Sequence, residues 1–373
     1  MTKSHNAHKN WGNRPWTIDF VPTRHELPAK VDFAVVGGGF TGLSAAARLK
    51  RLAPEKSVVL FEANEIGAGS SGHTGGMALS ESAVGDLPGL GDVLKGYQEI
   101  LHDLDIDADL SLPGAYEIGR SSPIKNSPIR WSDSGNLAVQ KSVQGGTINP
   151  GKVVSGLARA AERAGVLLFE NVGVNEAKFG EEVELVLAGR GPICAKKVLF
   201  STNAYAFELT GLLGRAESAF TLALATEELP EQAINEIGLS ERKPFYTVDL
   251  PYLWGRLLGN AIIFGSGLLH QNDWRDLATV DICQKEPAEM FARQEKRIRG
   301  LHPRLANVSF THRWGGPICI GEEWVPVFEY HRDSQNAIVL GAFSGHGVAQ
   351  SVYLGHWAAE ALLGNRELPK WRK

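Results

Sequence analysis

Hydrophobic and polar positions change their spacing several times along the chain, and the first sharp change comes at Val31. Before it, residues 1–30 carry Trp11, Pro15, Trp16, Pro22 and Pro28 with neither helical nor strand periodicity, which predicts an extended leader lying on the surface. Then come a short apolar run (Phe33 to Val36), a glycine cluster, an alanine-rich stretch of helical period (Leu43 to Leu52) and a second apolar run (Val58 to Phe61). That succession predicts a βαβ unit spanning Val31 to Glu62. Helical spacing returns at Asp92 to Leu104 and Lys152 to Ala164, with strand pieces at Tyr116 to Gly119 and Leu137 to Val139. Strands at Val166 to Glu170, Val183 to Ala188 and Lys197 to Ser201 continue the alternating pattern of a nucleotide-binding fold. Thr221 to Glu227, Ala261 to Ser266 and Asn307 to Arg313 read as strands of a separate antiparallel sheet, covered by a helix at Ala288 to Arg299.

The expected architecture is therefore α/β with two interleaved parts. Residues 31–80, 145–215 and 315–373 would form a Rossmann-like nucleotide domain, and 81–144 with 216–314 an α+β substrate domain. A length of 373 residues suits two cores.

Charge narrows the partners. The net charge is -4, with no basic face for a phosphate backbone and no polybasic anchor, so neither nucleic acid nor a membrane surface is expected. No run of about 18 apolar residues predicts a membrane span, and Met1 to Arg14 lacks the apolar stretch of a signal peptide. Cys194, Cys283 and Cys319 are odd in number and far apart, which predicts no disulfide framework and no metal site. A cytoplasmic protein is the expectation.

The candidate chemistry begins in the βαβ unit. Gly37-Gly38-Gly39-Phe40-Thr41-Gly42 follows the first strand and opens the helix. In that context Gly37 permits the tight turn, Gly39 lets a pyrophosphate reach the backbone, and Gly42 lets the helix pack on the sheet. The helix that follows Gly42 would face the phosphate with its N-terminus, and Phe40 and Thr41 within the loop are further candidate cofactor contacts. Glu62, followed by Ala63, ends the second strand, where a carboxylate accepts hydrogen bonds from ribose hydroxyls and disfavours NADP. NAD and FAD both satisfy these features.

Residues outside the unit separate the two. Gly67-Ala68-Gly69-Ser70-Ser71-Gly72-His73-Thr74-Gly75-Gly76-Met77 and Gly341-Ala342-Phe343-Ser344-Gly345-His346-Gly347-Val348 together resemble the D-amino acid oxidase-like family of flavoproteins. Gly146 to Lys152, the strand ending near Val174 and Ser201-Thr202-Asn203-Ala204 match that family's other landmarks in order. The resemblance implies FAD as cofactor, on a Rossmann-like FAD-binding domain interleaved with an antiparallel-sheet substrate domain. It implies cofactor contacts from Gly69, Ser70, Ser71, His73, Thr74, Gly75, Gly76, Met77, Val174, Ser201, Thr202, Asn203, Gly316, Gly345, His346, Gly347 and Val348.

Arg313-Trp314-Gly315-Gly316-Pro317-Ile318-Cys319-Ile320-Gly321 is most similar to the gamma-glutamylputrescine oxidoreductase branch of that family, as is Asp249-Leu250-Pro251-Tyr252. Amino-acid-oxidising members place an arginine four residues after the tryptophan, and here that position is Ile318. The resemblance thus implies oxidation of an amine C–N bond by hydride transfer to flavin N5, with the imine hydrolysed afterwards. Tyr252, Trp314 and His346 are the candidate catalytic residues. Tyr252, Trp254 and Trp314 either form an aromatic pocket around an amine or are core aromatics, and Arg256 either binds an anionic part of the substrate or is a solvated turn residue. His73 either hydrogen-bonds or links covalently to the flavin, and Cys319 is read as a buried thiol.

A helix over Val348 to Leu363 would point its positive end at the flavin. The lysine that sarcosine oxidase-type relatives use with oxygen has no counterpart in Ala261 to Phe264, so oxygen and an electron carrier both stand as acceptor. Alternatives are oxidation of a hydroxy or amino acid, with His346 or His312 as base, and a flavin subunit of a larger dehydrogenase complex.

Overall fold

A computed structural model describes residues 10–371. Residues 1–9 of the leader, where the signal-peptide reading mostly falls, and residues 372–373 lie outside the described residues.

The βαβ unit forms with strands Lys30–Val36 and Val58–Phe61 in parallel register, Val35 opposite Leu60 and Val36 opposite Phe61. Its helix, Phe40–Leu52, begins three residues before the apolar period, because Phe40, Thr41 and Gly42 are themselves buried against the sheet. Around this unit the sheet runs Leu167–Phe169, Val58–Phe61, Lys30–Val36, Ile193–Phe200 and Ser334–Gly341, all parallel. An antiparallel meander of Val174–Phe179 and Val183–Leu187 joins Ile193–Phe200, and Val327–His331 pairs antiparallel with Ser334–Gly341. Buried Val, Leu, Ala and Phe side chains occupy both faces, as a parallel sheet covered on two sides requires.

Two helices close one face. Phe40–Leu52 and Gly347–Leu362 run against each other at Gly355, where a Cβ would stand 2.6 Å from the Thr41 carbonyl oxygen. Ser44 Oγ donates to the Val352 carbonyl at 2.7 Å and ties the pair. Pro150–Ala164 begins with proline, is capped by Asn149 accepting from Lys152 N–H, and ends at Gly165 with φ of 97°.

The second sheet has nine strands, in the order Gly12–Asn13, Phe310–Gly321, Ala216–Thr226, Ala261–His270, Trp254–Leu258, Phe245–Thr247, Ala115–Gly119, Asn136–Val143 and Arg130–Ser132. Every pair is antiparallel except Phe245–Thr247 with Ala115–Gly119. The helix expected over Ala288 to Arg299 extends over Lys285–Leu301.

The leader departs from expectation. Trp11 and Trp16 are 2% and 6% exposed, and Gly12–Asn13 is an edge strand of the nine-stranded sheet. Burying two indoles outweighs the polar character of their neighbours. Arg256 also departs from the turn reading: it lies within the strand Trp254–Leu258, 4% exposed, with Nε donating to the Gly75 carbonyl at 2.5 Å.

Candidate active site

The two sheets meet along a cleft of about 1620 Å³, larger than the roughly 300–1,000 Å³ of ordinary small-molecule sites. One end is made of backbone. Gly37 has φ of 112°, and a Cβ there would sit 2.6 Å from the Ser201 carbonyl oxygen. Gly39 caps the Phe40–Leu52 helix with no side-chain hydrogen bond, and a Cβ on it would meet Ser71 Oγ at 2.8 Å. Gly42 lies beneath the wall, its missing Cβ 2.0 Å from the Gly37 carbonyl oxygen and 3.1 Å from Val35 Cγ1. Glu62 accepts from Gly38 N–H at 2.8 Å and Asn64 N–H at 2.9 Å. Burial raises its pKa above the ordinary carboxylate value, outweighing those bonds. Glu62 and Ala63 face the cleft, as do Phe40, Thr41 and Val174.

The middle of the cleft is the Gly67–Gly76 segment, wound into a short helix over Ser70–His73. Asn203 stitches three segments: its Nδ2 donates to Ser70 Oγ at 3.0 Å and its Oδ1 accepts Ala342 N–H at 3.0 Å. Ser201 Oγ donates to the Val36 carbonyl at 3.0 Å. Gly69, Ser70, Ser71, His73, Thr74, Gly75, Met77, Ser201, Thr202 and Asn203 all line the wall, whereas Gly76 lies behind it, against the Ile148 carbonyl and Arg256. Trp314 lines the wall too, fully buried, and its indole N–H donates to the His73 carbonyl at 3.0 Å. Gly316 leaves room for His73, whose Cβ would lie 2.6 Å from a Cβ there.

The third part comes from near the C-terminus. Ala342, Ser344 and Gly345 have φ of 55°, 51° and 90°, which turns the chain sharply into the Gly347–Leu362 helix. Ser344 fixes the turn: its N–H donates to the Cys319 carbonyl at 3.0 Å and its Oγ accepts from Gly321 N–H at 3.1 Å. His346 caps the helix without a side-chain bond, and Ser351 Oγ, one turn in and on the wall, has no partner among the described residues. Gly345, His346, Gly347 and Val348 face the same space. Two helix N-termini, at Phe40 and Gly347, thus open onto one cleft.

The family model described as DAO, FAD dependent oxidoreductase, matches residues 32–361. The chain belongs to this family. Gamma-glutamylputrescine oxidoreductase of Escherichia coli (strain K12) is 25% identical over 380 residues, covering 90% of this chain and 84% of that protein. 4-Methylaminobutanoate oxidase (formaldehyde-forming) of Paenarthrobacter nicotinovorans is 25% identical over 380 residues, covering 91% of this chain and 45% of that protein. Among solved structures, glycine oxidase from Geobacillus kaustophilus has the same fold, with a TM-score of 0.69 at 17% identity over 91% of this chain and 96% of that one.

Like its family, the protein is an FAD-dependent oxidoreductase. The residues present fit that cofactor. The start of the Phe40–Leu52 helix, where Phe40 N–H donates to Ser71 Oγ at 2.9 Å, suits a pyrophosphate through its positive end, Glu62 suits ribose hydroxyls, and the amides and unpartnered Ser351 hydroxyl at the start of Gly347–Leu362 suit a polar ring edge.

Beyond the cofactor space, the wall carries Leu250, Pro251 and Tyr252 from one loop, Trp254 from a strand, and Ile318 and Trp324. Tyr252 is 38% exposed, and desolvation pushes its phenol up to about 12. His346 has a lowered pKa, mainly from desolvation, partly offset by its Ser344 carbonyl contact and by Glu81. Arg256 and His312 are off this wall, and Cys319 is on it, 1% exposed. Sequence reasoning missed Trp11, Tyr205 and Trp274, which also line the cleft. For Trp11 the signal was present, a large apolar ring in an otherwise polar leader.

Among the described residues no helix is long and apolar enough to cross a membrane, and no group of His, Cys, Asp and Glu could hold a metal ion.

Proposed function

We propose that the protein oxidises the C–N bond of an amine that carries no carboxylate beside the reacting carbon. One observation carries the reading: the wall presents the apolar Ile318 at the position where the resemblance implies an arginine in amino-acid-oxidising relatives. Among the described residues the sole Arg or Lys on that wall, Arg275, is already paired with Glu208 and Asp273. A substrate carboxylate would be desolvated there with no cation to meet it. The relatives' names, citing a putrescine conjugate and a methylamino acid, support an amine.

FAD supplies the two-electron acceptor when bound. The chain's own part is to position and neutralise the amine. Tyr252, Trp254 and Trp324 offer ring faces that attract an ammonium and strip its water. His346 Nδ1 lies 3.4 Å from the Ser344 carbonyl, a contact only an N–H can use, so Nε2 is left as the acceptor for the substrate's proton. Its lowered pKa keeps it neutral and ready near pH 7. Trp314 holds the His73 segment in place. The amine leaves as an imine, which water hydrolyses. Three cysteines that form no disulfide among the described residues suit the reducing cytoplasm, and either oxygen or an electron carrier would reoxidise the cofactor.

Anaerobic mixing of the holoenzyme with primary and secondary amines, amino acids and hydroxy acids tests the reading. Bleaching of the flavin band by amines is the expected result. Bleaching by α-amino acids or hydroxy acids alone would overturn it, and peroxide assay against artificial acceptors separates the two acceptors.

A further inference from the structure

The leader plays no part in the nucleotide motifs, yet it braces the segment that carries His73. Gly12 and Asn13 pair with Trp314 and Arg313. Trp16 Nε1 donates to the Gly72 carbonyl at 2.8 Å, and the Trp11 ring meets the His73 ring edge-on at 5.0 Å. Arg14 Nη1 lies 2.9 Å from His73 Nε2, while His73 Nδ1 lies 2.9 Å from the Gly69 carbonyl oxygen.

Those two contacts fix a proton. A guanidinium donates only and stays protonated at any working pH, even with burial lowering the Arg14 pKa against the pull of Glu65. The nitrogen facing it must accept. A backbone carbonyl only accepts, so the nitrogen facing Gly69 must donate. One state of the ring satisfies both: neutral, with its hydrogen on Nδ1. The imidazolium would set an N–H against an N–H beside a positive charge.

We propose that Arg14 is a positioning residue that holds His73 as this neutral Nδ1–H tautomer, and that FAD is therefore retained with no covalent bond to His73. A bond to the cofactor would need a ring lone pair, and the one present is turned to Arg14. The ring is held in this orientation by the Gly69 carbonyl at Nδ1, Arg14 at Nε2 and the Trp11 ring against it. The proposal rests on FAD as cofactor and not on the amine reading, so it stands or falls separately.

Acid precipitation of the holoenzyme should release all flavin to the supernatant, and flavin left on the chain would overturn the proposal. Histidine-selective ¹⁵N NMR of the native holoenzyme should give His73 a protonated Nδ1 and a bare Nε2; an imidazolium or Nε2–H pattern would overturn it. Arg14→Ala should move His73 toward the Nε2–H tautomer, shift the visible flavin band and speed FAD release about tenfold, about 1.4 kcal/mol, with Arg14→Lys restoring the native NMR pattern. An unchanged pattern and band in Arg14→Ala would remove Arg14 from the role. Should that variant not fold, the two native measurements still decide.

Discussion

The two ends of the cleft are built from different materials. At the end that suits a nucleotide the shape is set by backbone: Gly37 and Gly39 on the wall and Gly42 beneath it each leave out a Cβ that would stand 2.0–2.8 Å from a neighbouring atom. At the substrate end they are side chains on three separate segments, Tyr252, Trp254, Ile318 and Trp324. Backbone cannot yield, so the first end tolerates one geometry and one kind of ligand. Rings can be exchanged for other rings, so the second end can change its ligand while the fold stays. Mutations at the two ends should therefore differ in kind as well as in size.

The largest effect belongs to Gly42→Ala. The new Cβ would stand 2.0 Å from the Gly37 carbonyl oxygen, with Gly42 on the buried face of its helix and Gly37 in the turn directly after the strand Lys30–Val36. We expect a loss of about 3 kcal/mol or more of stability, with purified protein lacking flavin, measured by thermal unfolding and the visible spectrum. Gly69→Ala is the control within the same cleft, because its Cβ would meet Tyr205 Cε2 at an ordinary 3.7 Å. A yellow, normally stable Gly42→Ala protein would erase the contrast between the ends.

A smaller effect should follow from loosening the roof of the substrate end. Arg297 Nη2 donates to the Pro251 carbonyl and to Asp133 Oδ2, both at 2.6 Å, and Nη1 donates to the Tyr252 carbonyl at 3.1 Å. Asp133 is itself held by Arg120, which also pairs with Asp249 on the same loop. Arg297→Lys keeps the charge and loses the fork. We expect kcat/KM for the best amine to fall about tenfold, about 1.4 kcal/mol, with flavin content unchanged. Loss of flavin instead would mean that the loop serves the cofactor end.

This contrast also explains what could be read in the sequence. The Phe33–Gly42 run and Glu62 announce themselves because backbone geometry demands glycine at fixed spacing and a carboxylate at a strand end. The short run Val58 to Phe61 is a strand with those bounds, since a buried parallel strand is continuously apolar. The substrate end has no such grammar. Trp324 and Tyr252 are far apart in the chain, and only the pairing of Trp254–Leu258 with Ala261–His270, and of the latter with Ala216–Thr226, gathers the wall. Arg256 illustrates the difficulty: placed after aromatics it could be read as a substrate-binding cation or as a solvated turn residue, yet the strand carries it inward to the Gly75 carbonyl. The leader failed likewise, because its partner, the Phe310–Gly321 strand, lies almost the whole chain away.

The smallest effect tests whether any substrate-end side chain titrates during turnover. A phenol pushed up to about 12 by desolvation is neutral at every pH where the enzyme would be assayed. The shift is upward from an ordinary value of 10, so the protonated form is the one favoured by the fold, and no proton leaves Tyr252 below that range. Tyr252 can then act through its ring and its O–H dipole, and not as a base. Tyr252→Phe should lower kcat/KM by at most about fivefold, about 1 kcal/mol. Its pH profile from roughly 6 to 10 should superimpose on the native one after scaling. The acid limb should survive because it belongs to the substrate ammonium and to His346, whose lowered pKa moves its protonation to more acidic solution. If an entire limb disappeared with the hydroxyl, Tyr252 would be the titrating base, and proton acceptance would have to move from His346 to the aromatic wall.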